Sequence, residues 1–265
     1  DGLAERLGVG ERQLRRLFRQ HLGAAPVSVA QTRRVLLAKA LIHDSDLSMA
    51  EVALASGFGS VRRFNETFQA LYGRPPSALR RREARADSEG VRMRLPFRPP
   101  YDFDDLLARL KARGDAVEGR RWWRDLTPET DAATGWVAVE RGVGSSSGDG
   151  LSVVVALDDL KALPGVLARV RRVFDLSADP EAITRDLSAD PVLKPLVEAR
   201  PGLRLAGDWI DAGETAPSDR LPDDFTPSLL RRAERWRPWR AYALAHLAAA
   251  GVRLETLETR HDQAA

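Results

Sequence analysis

One pattern occurs twice in the first third of the chain. The first copy reads Leu3-Ala4-Glu5-Arg6-Leu7-Gly8-Val9-Gly10 and continues Glu11-Arg12-Gln13-Leu14-Arg15-Arg16-Leu17-Phe18. The second reads Val52-Ala53-Leu54-Ala55-Ser56-Gly57-Phe58-Gly59 and continues Ser60-Val61-Arg62-Arg63-Phe64-Asn65-Glu66-Thr67-Phe68. Each is a short helix, a turn bearing glycine, and a second helix with its arginines to one side. This is the helix-turn-helix layout. Two copies joined by one connecting helix set the organisation of residues 1–82.

The charge lies where this layout lies. Residues 1–85 hold 15 Lys and Arg against 8 Asp and Glu, a net of +7, while the remainder holds 26 against 30, a net of −4. A positive potential confined to the helix-turn-helix region suits a polyanion such as duplex DNA. Only four of the 41 basic residues are lysine, so arginine content by itself says little and the placement of each arginine carries the argument. The chain has no cysteine, which excludes disulfides and thiolate metal sites, and its four histidines lack ligand spacing. No cofactor is expected. No apolar run reaches the roughly 20 residues of a membrane span and no signal peptide opens the chain, so the expectation is a cytoplasmic, nucleoid-associated protein.

In the first candidate recognition helix, Leu14, Leu17, Phe18 and Leu22 form an apolar stripe, leaving Arg12, Gln13, Arg15, Arg16 and Arg19 on other faces. In the second, Val61, Phe64, Phe68 and Leu71 form the stripe and Arg62, Arg63, Asn65 and Glu66 point outward. Arginine pairs bidentately with guanine, and Asn or Gln with adenine, so these types suit base edges in the major groove. An ordinary solvated helix face is the alternative for either helix alone; the repetition favours DNA. Between the two units, residues 26–43 (PVSVAQTRRVLLAKALIH) carry a helical pattern with Val35, Leu36, Ala40 and Leu41 apolar. Ser48 and Glu51 have capping-box spacing. Gly73-Arg74-Pro75-Pro76 ends the second recognition helix.

Residues 47–82 (LSMAEVALASGFGSVRRFNETFQALYGRPPSALRRR) resemble the second half of an AraC-type DNA-binding domain. The points of likeness are the Gly-Phe turn, the Phe-x-x-x-Phe helix and the closing Pro-Ser-x-x-Arg. The variant is most similar to that of Ada-type alkylation-response regulators. By motif position, the resemblance puts the DNA-facing residues at Arg12, Gln13, Arg15, Arg16, Arg62, Arg63 and Asn65. That family has a further helix before the first helix-turn-helix, and the chain is expected to begin beyond it. Gly10 stands where a stronger cap such as serine is usual. The cysteine-based methyl acceptor of the Ada family is expected to be absent.

Beyond a charged linker (81–90, RREARADSEG), strand and helix patterns alternate. Residues 91–97, 136–143 and 151–157 read as strands, and 101–112 and 160–174 as helices. The glycine-rich segment 141–150 is followed by a strand pattern rather than a helix, so it reads as a hairpin loop and not as a phosphate cradle. Leu163-Pro164-Gly165-Val166 reads as a helix start.

Residues 91–206 resemble the N-terminal domain of AlkA-type DNA-3-methyladenine glycosylases. The likeness rests on Arg98-Pro99-Pro100-Tyr101-Asp102, on Val173-Phe174-Asp175-Leu176, and on Ala199-Arg200-Pro201-Gly202-Leu203-Arg204-Leu205. Residues 227–247 (PSLLRRAERWRPWRAYALAHL) resemble the closing helices of those enzymes. The family's helix-hairpin-helix and catalytic aspartate lie between these stretches, but only residues 208–226 stand there, too few for the helices at 1.5 Å per residue. Asp219 and Asp224 sit in Pro-x-Asp contexts like that of the family's acid and are the candidate catalytic residues. Without a closed pocket they are expected to be solvated loop residues. The six scattered tryptophans could stack on bases, though such residues more often serve as core or cover.

The expected fold class is α+β: an all-α double helix-turn-helix domain, a small mixed α/β domain (AlkA N-terminal-like, TBP-like), and C-terminal helices. The expected domains are 1–82, a linker at 83–90, 91–206, and a shortened glycosylase remnant at 207–265. The expected function is double-stranded DNA binding and transcriptional regulation in the alkylation response, with RNA polymerase as a further partner. An active glycosylase and an effector-binding sensor are the alternatives.

Overall fold

A computed structural model describes residues 2–80, 90–142, 149–210, 217–221 and 225–252. The chain forms two compact units, Asp1–Met93 with Asp158–Pro164 and Arg94–Leu157 with Gly165–Ala265.

The first unit is helical. Its elements are α1 (Gly2–Arg6), α2 (Glu11–Leu22), α3 (Pro26–Asp44), α4 (Met49–Ala55) and α5 (Val61–Tyr72), closed by a 3-10 turn at Pro76–Leu79. Both helix-turn-helix units turn on a glycine in the left-handed region, Gly8 at φ 61° and Gly57 at φ 81°, where a Cβ is strained. The second unit has the firmer core: Phe64 and Phe68 are fully buried, and Phe58, Phe64, Phe68 and Tyr72 form a run of ring contacts with centroids 4.8–5.4 Å apart. In α2 only Leu14 is buried.

The expected stripes are thus narrower than their periodicity suggested. Leu22 and Leu71 are each 59% exposed, and Val61 and Leu36 are exposed as well. Leu22 and Leu71 lie in the last turns of α2 and α5, and Leu71 is exposed although buried Phe68 stands only three residues before it. Val61 is the first residue of α5, next to the cap Ser60.

The second unit is built on a five-stranded sheet in the order β1-β5-β4-β3-β2, comprising β1 (Val91–Pro96), β2 (Val117–Glu118), β3 (Arg121–Leu126), β4 (Gly135–Arg141) and β5 (Gly150–Leu157). The pairings from β2 to β5 are antiparallel. Alternation places Trp122 and Leu126 of β3, Val137 and Val139 of β4, and Val153 and Val155 of β5 on one buried face. Helices α6 (Phe103–Ala112) and α8 (Leu163–Val173) supply Phe103, Leu106, Leu110, Leu167 and Val170 to the core, and Phe174 meets Trp122 edge-on at 5.5 Å. Each such side chain contributes about 1.5–3 kcal/mol on burial. A short helix α7 (Pro128–Asp131) joins β3 to β4.

Several details differ from the sequence expectation. The helix expected at 101–112 begins at Phe103, because Asp102 accepts from the Asp105 amide and caps it, leaving Tyr101 outside. The helix expected at 160–174 is a 3-10 turn at Leu160–Ala162 and then α8, in whose first turn Pro164 falls. Strands β2 and β3 were not foreseen, since Arg121, Arg124 and Asp125 mask the alternation of Trp122 and Leu126. The first expected strand ends at Pro96, β4 and β5 each begin one residue earlier than expected, at Gly135 and Gly150, and β5 ends at Leu157 as expected; β4 ends at Arg141, and Val143 lies outside the described residues.

A second apolar cluster gathers α9 (Pro180–Leu187), α10 (Lys194–Ala199), α11 (Pro227–Ala233) and α12 (Arg240–Ala249). Ile183, Leu187 and Val197 pack with Leu229, Trp236, Tyr242 and Leu247, so the C-terminal helices are docked. No helix among the described residues is long and apolar enough to cross a membrane.

Candidate nucleic-acid interface

Helices α2 and α5 are equivalent by their ends. Counting from the cap residues Gly10 and Ser60, Arg12 matches Arg62, Gln13 matches Arg63, Arg15 matches Asn65, and both helices close on a left-handed glycine, Gly23 and Gly73. The caps differ. The Ser60 hydroxyl accepts from the Arg63 amide at 3.2 Å, whereas Gly10 offers no side chain. Upstream of α5, Ser48 and Glu51 form the reciprocal capping box read from their spacing, at 2.7 and 3.3 Å.

All seven expected DNA-facing residues are exposed: Arg12, Gln13, Arg15 and Arg16 on α2, and Arg62, Arg63 and Asn65 on α5. Arg62 is tied to Glu66 by an exposed i,i+4 ion pair of 2.8 Å. Among the described residues, Arg12, Arg15, Arg16 and Arg63 have no acidic partner. Arg63 and Glu66 also line a groove of about 560 Å³ between α5 and α3, whose far wall includes Gln31 and Thr32.

The second unit treats its arginines differently. Arg109, Arg113, Arg169, Arg200, Arg232 and Arg240 all hold carboxylates. Arg204 is 1% exposed and donates to the carbonyls of Arg98 and Pro100 at 2.7 and 2.8 Å, with its guanidinium over the Tyr101 ring. Arg200 reaches Asp102 and Asp105 at 3.1 and 2.7 Å, and the Leu205 amide reaches Asp175 at 3.0 Å. Asp175 also accepts from the Tyr242 hydroxyl. Burial raises the carboxyl pKa of Asp175 and, with the carboxylate beside it, that of the Tyr242 hydroxyl. The three sequence stretches around residues 98–102, 173–176 and 199–205 therefore meet at one place and are joined there to α12.

Of the two candidate catalytic residues, Asp219 is described. Asp219, expected to be a solvated loop residue, is instead 8% exposed: the guanidinium of Arg240 grips it at 2.7 and 3.1 Å, and Arg237 reaches it at 3.2 Å. The reason is a 3-10 turn at Pro217–Asp219 that lays the carboxylate against the first turn of α12. Asp224 lies outside the described residues. Sequence reasoning also missed how the tryptophans are used. The indole N–H groups of Trp122, Trp209, Trp236 and Trp239 donate to Asp115, Asp131, Asp190 and Asp186 at 2.7–3.2 Å. These partners stand seven to 78 residues apart in sequence, so no local signal announces them.

The paired helix-turn-helix units and the sheet-and-helix unit define a two-part chain: an AraC-type helix-turn-helix domain followed by an AlkA N-terminal domain. Residues 3–82 match the helix-turn-helix domain family and residues 92–210 match the AlkA N-terminal domain family. The chain is 37% identical over 212 residues to a protein of Mycobacterium tuberculosis named "Probable bifunctional transcriptional activator/DNA repair enzyme AlkA", covering 77% of this chain and 42% of that relative. It is 39% identical over 80 residues to the HTH-type transcriptional regulator GlxA of Rhizobium meliloti, covering 30% of this chain and 25% of that protein. It is 41% identical over 75 residues to the HTH-type transcriptional regulator CdhR of Pseudomonas aeruginosa, covering 28% and 22%. The chain thus spans less than half the length of these curated relatives.

Proposed function

We propose that residues 1–82 bind double-stranded DNA sequence-specifically through α2 and α5, and that the chain serves transcriptional regulation in the response to DNA alkylation. One observation carries this reading: Arg12, Arg15, Arg16 and Arg63 stand on two equivalent exposed helices without acidic partners among the described residues, while six arginines of the second unit, Arg109, Arg113, Arg169, Arg200, Arg232 and Arg240, are committed to carboxylates. Free guanidiniums can pair with guanine edges and phosphates, and Gln13 and Asn65 supply the adenine-reading amides. The regulatory role takes support from the activator in the name of the mycobacterial relative. It implies RNA polymerase as a partner and a place at the nucleoid. Residues 83–90 serve as the linker, 91–206 as the AlkA N-terminal-like part, and 207–265 as a shortened remnant of the closing glycosylase helices.

The repair half of that relative's name is not carried over. Base excision needs a carboxylate facing an extruded base in a closed pocket. Here residues 208–226 leave little chain for one, and Asp219 is occupied by Arg240. The test is to incubate the protein with methylated duplex DNA and count abasic sites by alkaline cleavage, with a mobility shift run on the same sample. A shift without abasic sites is expected. Abasic sites above the no-protein control, abolished by Asp224→Asn, would restore the glycosylase reading; absence of any shift would remove the DNA-binding one.

A further inference from the structure

Helix α3 does more than join the two helix-turn-helix units along the chain. The Arg34 side chain leaves α3 and crosses the turn of the second unit. Its Nε lies 3.6 Å, and its Cγ and Cδ 3.9 Å, from the position a Cβ would take on Gly57. Gly57 has no Cβ, and its backbone sits in the left-handed region at φ 81° that turns the chain from α4 toward α5. The stem of Arg34 therefore rests on the bare turn, three residues before the α5 cap Ser60. The residue is nonetheless exposed, so its stem is packed while its charged head stays at the surface.

Arg34 has no acidic partner among the described residues. The acids of the neighbouring helices are engaged elsewhere: Glu51 of α4 accepts from the Ser48 amide at 2.7 Å, and Glu66 of α5 holds Arg62 at 2.8 Å. Asp44 closes α3 ten residues further on, about 15 Å away by the helical rise. Gln31, three residues before Arg34 on the same side of α3, borders the groove that Arg63 lines from α5. Donors without acidic partners thus run from α5 across to α3. When the second helix of a helix-turn-helix enters the major groove, the helix before it crosses the phosphate backbone. An arginine seated on the turn between them is placed for phosphate rather than for a base edge.

We propose that Arg34 is a DNA-phosphate contact, so that the connecting helix grips the duplex together with α2 and α5. The contact rests on the DNA-binding reading of those two helices and adds a cation that belongs to neither. It carries no sequence information; it fixes where the second unit sits on the duplex.

The test uses the full chain and a labelled duplex of about thirty base pairs of mixed sequence, with affinity measured across a salt series. Arg34→Gln keeps the Cγ and Cδ that cover Gly57 and removes the charge. It should lower affinity roughly fivefold at low salt and reduce the slope of log affinity against log salt by about one, with the urea midpoint unchanged. Arg34→Lys should restore the slope. Arg33→Gln removes the same charge about 200° round the helix from buried Val35, on the outer side of α3, and should keep the native slope. A native slope in Arg34→Gln overturns the proposal, and a lowered midpoint alongside that slope would assign Arg34 to the stability of the turn alone. An equal fall in slope in Arg33→Gln also overturns it, since the effect would then be one of net charge. If Arg63→Ala weakens binding and Arg34→Gln does not, the helix-turn-helix reading stands without this contact; no duplex binding by the native chain removes both.

Discussion

Asp219 and Arg240 form a two-point ion pair in which Oδ1 lies 2.7 Å from Nε and Oδ2 lies 3.1 Å from Nη2, with both residues buried. The pair fixes the segment before α11 and α12 against the first turn of α12, and Glu234 adds a third contact to Arg240 at 3.0 Å. Its work is structural. Breaking such a pair leaves a buried guanidinium partly uncompensated, at a cost of about 3–5 kcal/mol, with Glu234 holding the loss toward the lower end. Asp219→Ala should therefore lower the urea midpoint followed by tryptophan fluorescence. An unchanged midpoint would show that the pair contributes nothing to the docking of α12.

Arg62 and Arg63 are neighbours with different expected roles. Arg63→Ala should cost about 1–3 kcal/mol in binding to the preferred duplex and relax selectivity at one base position. Glu66→Gln removes the carboxylate that holds Arg62. Freed, Arg62 gains a phosphate contact, so binding should tighten and the slope of log affinity against log salt should steepen by about one. Fluorescence anisotropy across a salt series reads both effects.

The two helix-turn-helix units should differ in stability because of their caps. Ser60→Ala removes the acceptor for the Arg63 amide and should cost about 1 kcal/mol. Gly10 has an extended backbone at φ −70° and ψ 148°, and a Cβ there meets nothing within 4 Å. Gly10→Ser should therefore stabilise the first unit by a few tenths of a kcal/mol. Hydrogen exchange of α2 and α5 measures each change locally.

His246 gives a pH dependence with a defined sign. The ring is buried between α12 and α10, donates to the Leu196 carbonyl, and has Nδ1 without a partner. Burial first, then the positive field of Arg200, pushes its pKa down to about 4. The unfolded chain, at about 6.5, takes up the proton first. The stability associated with neutral His246 is thus complete above about 6.5 and is lost as pH falls toward 4. Asp105 and Asp190, whose carboxyls are lowered, act below that window, and Asp175, whose carboxyl is raised, acts in the opposite sense. Midpoints from pH 7.5 to 4.5 should fall less in His246→Gln than in the native chain; parallel curves would contradict the assignment.

What could be read from the sequence was what is local. The capping box of Ser48 and Glu51, the turn glycines Gly8 and Gly57, and the Phe64–Phe68 pair each follow from residues within a few positions of one another. The exposure of Arg12 and Arg63 followed from helical period, but the capture of Arg62 by Glu66 depends on rotamers that no pattern sets. Strand β3 was hidden because Arg124 lies on the inner face, its guanidinium 5.2 Å from the Trp209 ring centroid, which breaks the alternation. The burial of Asp219 and the four tryptophan–aspartate bonds depend on long-range chain folding, so a Pro/Asp-rich stretch that looked solvated is partly core.

The measurement that bears most directly on the central claim is duplex binding across a salt series by the native chain and two variants, Arg15→Ala with Arg16→Ala, and Arg63→Ala with Asn65→Ala. The claim is that α2 and α5 both grip one duplex. It requires log affinity to fall linearly with log salt, and each variant to lose affinity and protect only the half of the footprint read by its intact helix. Salt-independent binding, or a full footprint from both variants, would contradict it.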